Sequence, residues 1–217
     1  MQLFTYFRSS AAFRVRIALN LKELQYESKF INLAPGADEQ FSPHYLELNP
    51  QGRIPFIVDG DVRLAQSSAI IEYLDEQYPH PKLLPGSIKA RAVVRQLVNI
   101  IACDIHPLNN LSVLQKLKKD FSATQEQCDS WYRDWIQTGF AALEAQLKIH
   151  SGQYSVGDQV SMADVYLVPQ VWNANRFKVD LRRFPTIVRV YNQCVTLDAF
   201  RKALPEMQKD NPERKSA

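Results

Sequence analysis

The chain has 217 residues, of which 46% are hydrophobic and 23% charged, proportions that exclude disordered, collagen-like and coiled-coil classes. The 26 Lys and Arg against 23 Asp and Glu give a net charge of +3, too small to mark a nucleic-acid-binding surface. Cys103, Cys128 and Cys194 are far apart and odd in number, which argues against a disulfide scaffold or zinc ribbon and suits a reducing cytoplasm. No stretch approaches the ~20 apolar residues of a membrane span, and no signal peptide is evident.

Residues 2–6 mix β-branched and aromatic side chains, and Arg8-Ser9-Ser10 then leads into Ala12, Val15, Ala18 and Leu19 at helical spacing; strand, turn and helix are expected. A second strand is expected over 26–33 and a short irregular helical crossover over 38–48. Asp59-Gly60-Asp61, between the apolar runs 54–58 and 62–64, predicts a hairpin. Gln66-Ser67-Ser68 then opens a helix over 69–74, with the serines as its natural N-caps. The order is βαβαββα. Pro79, Pro81, Pro85 and Gly86 can continue neither a helix nor a central strand. The spacing therefore predicts an α/β domain over 1–80, a linker over 81–88 and an all-helical domain over 89–217. In the latter, helical periodicity runs over 88–117, 122–150, 162–177 and 185–203. Ser161-Met162-Ala163-Asp164 reads as a capping box, which makes Asp164 structural, and the polar tail 211–217 is expected to fray.

Chemistry concentrates at three places. At Arg8-Ser9-Ser10 a helix N-terminus offers unpaired N–H groups and partial positive charge, which suit a thiolate or carboxylate; alternatively one serine is an ordinary N-cap. Arg8 and Arg14 work against the helix dipole unless they reach solvent or meet an anionic ligand, and Arg16 reads as a surface residue. At Arg53-Ile54-Pro55 a proline opens a strand, leaving the Ile54 N–H and C=O for a peptide-like ligand or simply initiating the strand. Gln66-Ser67 is a second helix start with side-chain donors. Cys103 and His106 lack an orienting third group for nucleophilic catalysis, no metal-ligand set has recognisable spacing, and no phosphate-binding glycine loop is present.

These segments, with Arg14-Val15-Arg16-Ile17-Ala18-Leu19, Leu48-Asn49-Pro50, Pro107-Leu108-Asn109-Asn110-Leu111-Ser112, Met162-Ala163-Asp164 and Arg176-Phe177-Lys178-Val179-Asp180-Leu181, resemble the zeta class of the glutathione transferase superfamily over essentially the whole chain. The resemblance implies a thioredoxin-like N-terminal domain, an all-α C-terminal domain and a cytoplasmic homodimer that engages neither nucleic acid nor membrane. It implies glutathione as cofactor, bound by Ser9, Ser10, Gln40, Ile54, cis Pro55, Gln66, Ser67, His106, Asn110 and Ser112; His106 replaces a glutamine found in some similar proteins. Ser9, Ser10 and Arg14 are the expected catalytic residues, Arg8, Arg14 and Arg176 are expected to meet the carboxylates of a small diacid, and no metal is expected. The implied reaction is cis–trans isomerisation of maleylacetoacetate to fumarylacetoacetate in tyrosine and phenylalanine catabolism, with glutathione transferase activity expected beside it. Maleylpyruvate isomerisation or conjugation of α-halo acids are alternatives, as is a non-catalytic interaction module. The zeta signature usually reads Ser-Ser-Cys at the first turn, whereas this chain has Ala11 in the third place, which leaves glutathione as the only thiol there.

Overall fold

The computed structural model describes residues 1–214. Its first part runs β1 (Gln2–Thr5), α1 (Ser10–Leu21), β2 (Glu27–Phe30), α2 (Pro43–Leu48), β3 (Phe56–Asp59), β4 (Val62–Ala65) and α3 (Ser67–Gln77), in the expected βαβαββα order. The sheet is ordered β2-β1-β3-β4; β1 is parallel to β2, and β3 is antiparallel to both β1 and β4. It follows that β1 and β4 point the same way, so α1 and α3, which succeed them, both start from the same edge of the sheet.

Alternation along the strands divides the core. Leu3 and Ile57 are partners across β1 and β3 and are fully buried. The next pair, Phe4 and Phe56, faces the other way, with ring centroids 5.7 Å apart and Tyr45 of α2 lying 5.8 Å from Phe4. Lys22, just past α1, is buried with all three ammonium donors used, by Asp75 Oδ1 at 2.9 Å, Tyr78 O at 2.7 Å and Pro81 O at 2.9 Å. One side chain thus ties the end of α1 to the chain leaving α3.

The second part contains α4 (Ile88–Asn99), α5 (Leu111–Phe121), α6 (Gln125–His150), α7 (Met162–Arg176) and α8 (Pro185–Cys194). The continuous helix expected over 88–117 is interrupted: a π-helical stretch Ile100–Ile105 follows α4, and Asn110 caps a new helix. Close packing accompanies this bulge. A Cβ on Gly139 of α6 would lie 2.3 Å from Ile105 Cδ1 and Cγ1, and Ile105 is fully buried. Gly139→Ala should therefore destabilise the protein by about 1–3 kcal/mol through overpacking, offset in part by the ~1 kcal/mol that alanine gains in a helix. Urea unfolding checks this, and Ile105→Val in the same chain should recover part of the loss.

Contacts divide the chain into two compact units, one formed by Met1–Lys82 together with the segment from Leu197 onward, the other by Leu83–Thr196. The C-terminal segment thus departs from the expected division, which placed everything after residue 88 in the helical domain. The periodicity over 185–203 is likewise split, α8 ending at Cys194 and a short α9 (Asp198–Arg201) beginning beyond a break. Buried polar anchors explain the association with the first unit. Asn20 Nδ2 donates to Ala199 O at 2.9 Å and Arg16 Nε to Ala203 O at 3.2 Å. Arg16 is therefore no surface residue: it is 1% exposed. Of the tail expected to fray, Asn211 is held by its Nδ2 donating to Pro205 O at 3.2 Å, and residues 215–217 lie outside the described residues.

Candidate active site

Ser9 is the N-cap of α1, with φ −70° and ψ 115°, and its Oγ accepts the Ala12 N–H at 3.2 Å. Ser10 is the first helical residue and is buried. The capping role is thus real, but it occupies one lone pair of the Ser9 oxygen and leaves its O–H able to donate. Arg8 is exposed; its Nη2 donates to the Tyr6 hydroxyl at 3.2 Å, and its guanidinium lies 5.1 Å from the Phe7 ring centroid. Cation–π contact holds this charge beside the turn.

Arg14 behaves differently. It is 2% exposed, and its Nη1 donates to Ser67 Oγ at 3.3 Å, joining α1 to the first residue of α3. Neither helix has an acidic residue in its first turn. Two helix starts on one edge of the sheet and a buried guanidinium between them concentrate positive potential, the setting in which an anion is stabilised. The N-cap position of α3 is Gln66 rather than a serine, and it makes no side-chain cap bond. Its φ of 70° is left-handed, a conformation that costs a residue with a side chain about 1–3 kcal/mol. The turn directs Gln66 Nε2 to Gln51 Oε1 at 2.8 Å.

The loop 49–55 gathers more of the expected residues. The Tyr45 hydroxyl and Asn49 Nδ2 both donate to Arg53 O at 2.6 Å, fixing the backbone just before Ile54, and the Ile54-Pro55 peptide is cis. Ile54 shares a core cluster with Tyr6, Phe7, Ala12, Tyr45 and Phe56, which sets it beside the β1–α1 turn. Among the described residues no hydrogen bond engages the Ile54 N–H or C=O. Gln40 is buried; its Nε2 donates to Asp38 Oδ1 at 3.4 Å, while its Oε1 is buried with no hydrogen-bond partner among the described residues. In the first unit, then, Arg14 of α1 meets Ser67 of α3, Ile54 before Pro55 packs with Tyr6, Phe7 and Ala12 on either side of Ser9 and Ser10, and Gln66 meets Gln51 of the 49–55 loop, while the side chain of Gln40 meets Asp38.

The remaining candidates lie in the second unit. His106 ends the π-helical stretch, its N–H donating to Ile101 O at 2.9 Å. Asn110 Oδ1 caps α5 by accepting from the Ser112 N–H and hydroxyl, each at 3.1 Å. Asn109 Nδ2 donates to Tyr132 O and Trp131 Nε1 to Leu108 O, so α6 holds this loop in place. Arg176, exposed at the end of α7, has its guanidinium 5.1 Å from the Phe177 ring centroid, and that ring stacks on Tyr132 at 3.7 Å. Cys103 is exposed, whereas Cys128 and Cys194 are buried; burial and the neighbouring Asp164 carboxylate push the Cys194 thiol far up. Among the described residues no group of His, Cys, Asp and Glu is placed to hold a metal ion, and no helix is long and apolar enough to cross a membrane.

An α/β unit ordered βαβαββα followed by a helical unit is the architecture of the thioredoxin-like, glutathione-dependent enzymes, and the comparisons with known proteins show it for this chain. The model of the glutathione S-transferase N-terminal domain matches residues 1–76 and that of the C-terminal domain matches residues 133–198; the chain belongs to the glutathione S-transferase family. A probable maleylacetoacetate isomerase of Vibrio cholerae is 48% identical over 208 residues, covering 96% of the chain and 97% of that protein. A maleylpyruvate isomerase of a Ralstonia species is 46% identical over 213 residues, covering 97% of the chain and 100% of that protein. The crystal structure of a maleylacetoacetate isomerase from Methylobacterium extorquens AM1, with malonate and glutathione bound, superposes with a TM-score of 0.94 at 38% identity, covering 98% of the chain and 100% of that structure.

Proposed function

We propose that this protein is a zeta-class, glutathione-dependent cis–trans isomerase of a maleyl diketo acid, with maleylacetoacetate as substrate and fumarylacetoacetate as product. The observation that carries the reading is the buried Arg14–Ser67 link at the paired starts of α1 and α3. A positively polarised edge, with no acid in the first turn of α1 or α3, accommodates the γ-glutamyl carboxylate of glutathione at Gln66 and Ser67, and the Ile54 N–H and C=O pair with its cysteinyl backbone. The helix start and the Ser9 O–H face the thiolate; a donor to the charged sulfur lowers the thiol pKa.

The thiolate adds to the cis double bond. A C–S bond forms, and the π electrons move onto the adjacent carbonyl to give an enolate. Rotation about the resulting C–C single bond follows; the enolate then collapses, the C–S bond breaks and thiolate is released with the trans product, so there is no net redox change. Arg8 and Arg14 are assigned to the substrate carboxylates and the developing enolate. Arg176 is assigned to a substrate carboxylate, and His106, Asn110 and Ser112 to glutathione, on the family resemblance. Ala11 supplies no sulfur at the turn, so the thiol that acts there is the one glutathione brings. The working form is proposed to be a cytoplasmic homodimer.

The similarity to the Ralstonia maleylpyruvate isomerase favours maleylpyruvate as the second candidate substrate. Assays of both maleyl acids, with and without glutathione, test the proposal: turnover of maleylacetoacetate at the higher kcat/KM, and only with glutathione, is expected. Activity without glutathione overturns the mechanism, and preference for maleylpyruvate reassigns the substrate. Absence of glutathione binding at millimolar concentration in calorimetry would instead favour an interaction module.

A further inference from the structure

The two residues that precede Arg8 and Ser9 are held from an unexpected quarter. The Phe7 N–H donates to Asp210 Oδ2 at 2.8 Å, across 203 positions of sequence. The Arg16 guanidinium donates from Nη1 to Thr5 Oγ1 at 3.0 Å and to Tyr6 O at 3.2 Å, and from Nη2 to Phe7 O at 3.1 Å, while its Nε reaches Ala203 O at 3.2 Å. Tyr6 O also accepts the Ser9 N–H at 3.0 Å, so Arg16 and Ser9 share one carbonyl. The segment that carries Asp210 is itself braced, with Gln208 Nε2 donating to Lys202 O and Leu204 O, each at 2.9 Å. We infer that Asp210 and Arg16 are positioning residues for the reaction: the C-terminal segment clamps the backbone of Tyr6 and Phe7 and thereby sets where the Ser9 hydroxyl stands.

Three features favour this over simple fastening of a chain end. The clamp closes on backbone atoms two and three residues before Ser9, and the Tyr6 carbonyl it holds also accepts the Ser9 N–H, so a shift there is passed to the N-cap. Its two partners are opposite charges, Arg16 fully buried and Asp210 with Oδ1 shielded from solvent and unbonded among the described residues. Burial raises the Asp210 carboxyl pKa while the Phe7 N–H and the Arg16 charge draw it back. Lastly, misplacement of a catalytic group by about 1 Å can cost on the order of 10²-fold in rate, so a contact worth little in stability can be worth much in turnover.

This inference rests on the role given to Ser9 above, and the test separates the two. Full-length wild type, Asp210→Ala and Asp210→Asn are compared for kcat, glutathione Kd by calorimetry, and the pH titration of the bound thiolate by its ultraviolet absorbance. Loss of the acceptor in Asp210→Ala should lower kcat about tenfold and raise the pKa of the bound thiol, with Kd within about twofold of wild type. Asp210→Asn keeps a carbonyl oxygen for the Phe7 N–H and should recover most of the rate. An active wild type with unchanged kcat and thiol titration in Asp210→Ala overturns the positioning role alone. Equal losses in both variants that follow only their melting temperatures also overturn it, since they show mere fastening. A wild type without glutathione-dependent turnover overturns the functional reading and this inference with it.

Discussion

Ser9→Ala is expected to lower kcat by about 10- to 100-fold, the worth of one charge-assisted hydrogen bond of ~1.5–3 kcal/mol to a thiolate, while glutathione affinity changes far less. The distinction follows from what the hydroxyl touches. Its oxygen already accepts the Ala12 N–H, so the substitution also removes a helix cap at a cost to stability of about 1 kcal/mol, too little to unfold a domain of this size. In the proposed site the O–H donates to the sulfur, and most strongly when the sulfur is charged. Titration of the bound thiol should therefore move to higher pH in Ser9→Ala, and Ser9→Thr, which keeps both the cap and the donor, should restore much of the rate. A kcat equal to wild type removes Ser9 from the chemistry; a loss confined to Kd makes it a binding residue.

Asp164→Asn should destabilise the chain by about 2–4 kcal/mol, since buried donors that lose an acceptor retain their full desolvation penalty. The carboxylate is fully buried. Oδ1 accepts the Ser155 N–H at 2.8 Å, and Oδ2 accepts the Ser161 N–H at 2.8 Å and its hydroxyl at 3.0 Å; the Cys194 Sγ also lies 3.7 Å from Oδ1. Burial raises the pKa of this carboxyl and the hydrogen bonds from Ser155 and Ser161 lower it. An amide of the same shape must turn an N–H₂ toward at least one of these donors. The loss should appear as a lower urea midpoint with an unchanged slope, and glutathione binding by the folded fraction should be intact. A midpoint equal to wild type would show that the acceptors are dispensable.

The alternating strands, the Asp-Gly hairpin and the two serine-bearing helix starts were legible because each is a local pattern: a period, a turn or a cap. The capping box at Ser161 was legible for the same reason. Arg16 was not. Helix α1 is buried on almost every side, from Ala12 to Leu19, so no polar stripe distinguishes an inward arginine from an outward one, and charge alone suggested the surface. Asp210 carried no signal, being one acid just before a polar tail, with its partner, Phe7, lying 203 positions away in sequence. The anchoring of Arg53 O by Tyr45 and Asn49 is likewise a matter of three-dimensional proximity. The π-helical stretch escaped because its apolar spacing differs from that of an α-helix by a single residue, and the partner that fits it, Gly139, lies on another helix.

The buried arginine of α1 also bears on synthesis. By the time residue 82 has been made, the sheet and its helices have all their strands, yet the Arg16 Nε has no Ala203 carbonyl and the Phe7 N–H has no Asp210 carboxylate. Both acceptors emerge more than a hundred residues later, after the whole helical unit, since the second unit is spliced into the first. The unit whose strands leave the ribosome first is thus completed only after the second unit has been made, and the turn bearing Ser9 waits on Ala203 and Asp210 for its final hydrogen bonds.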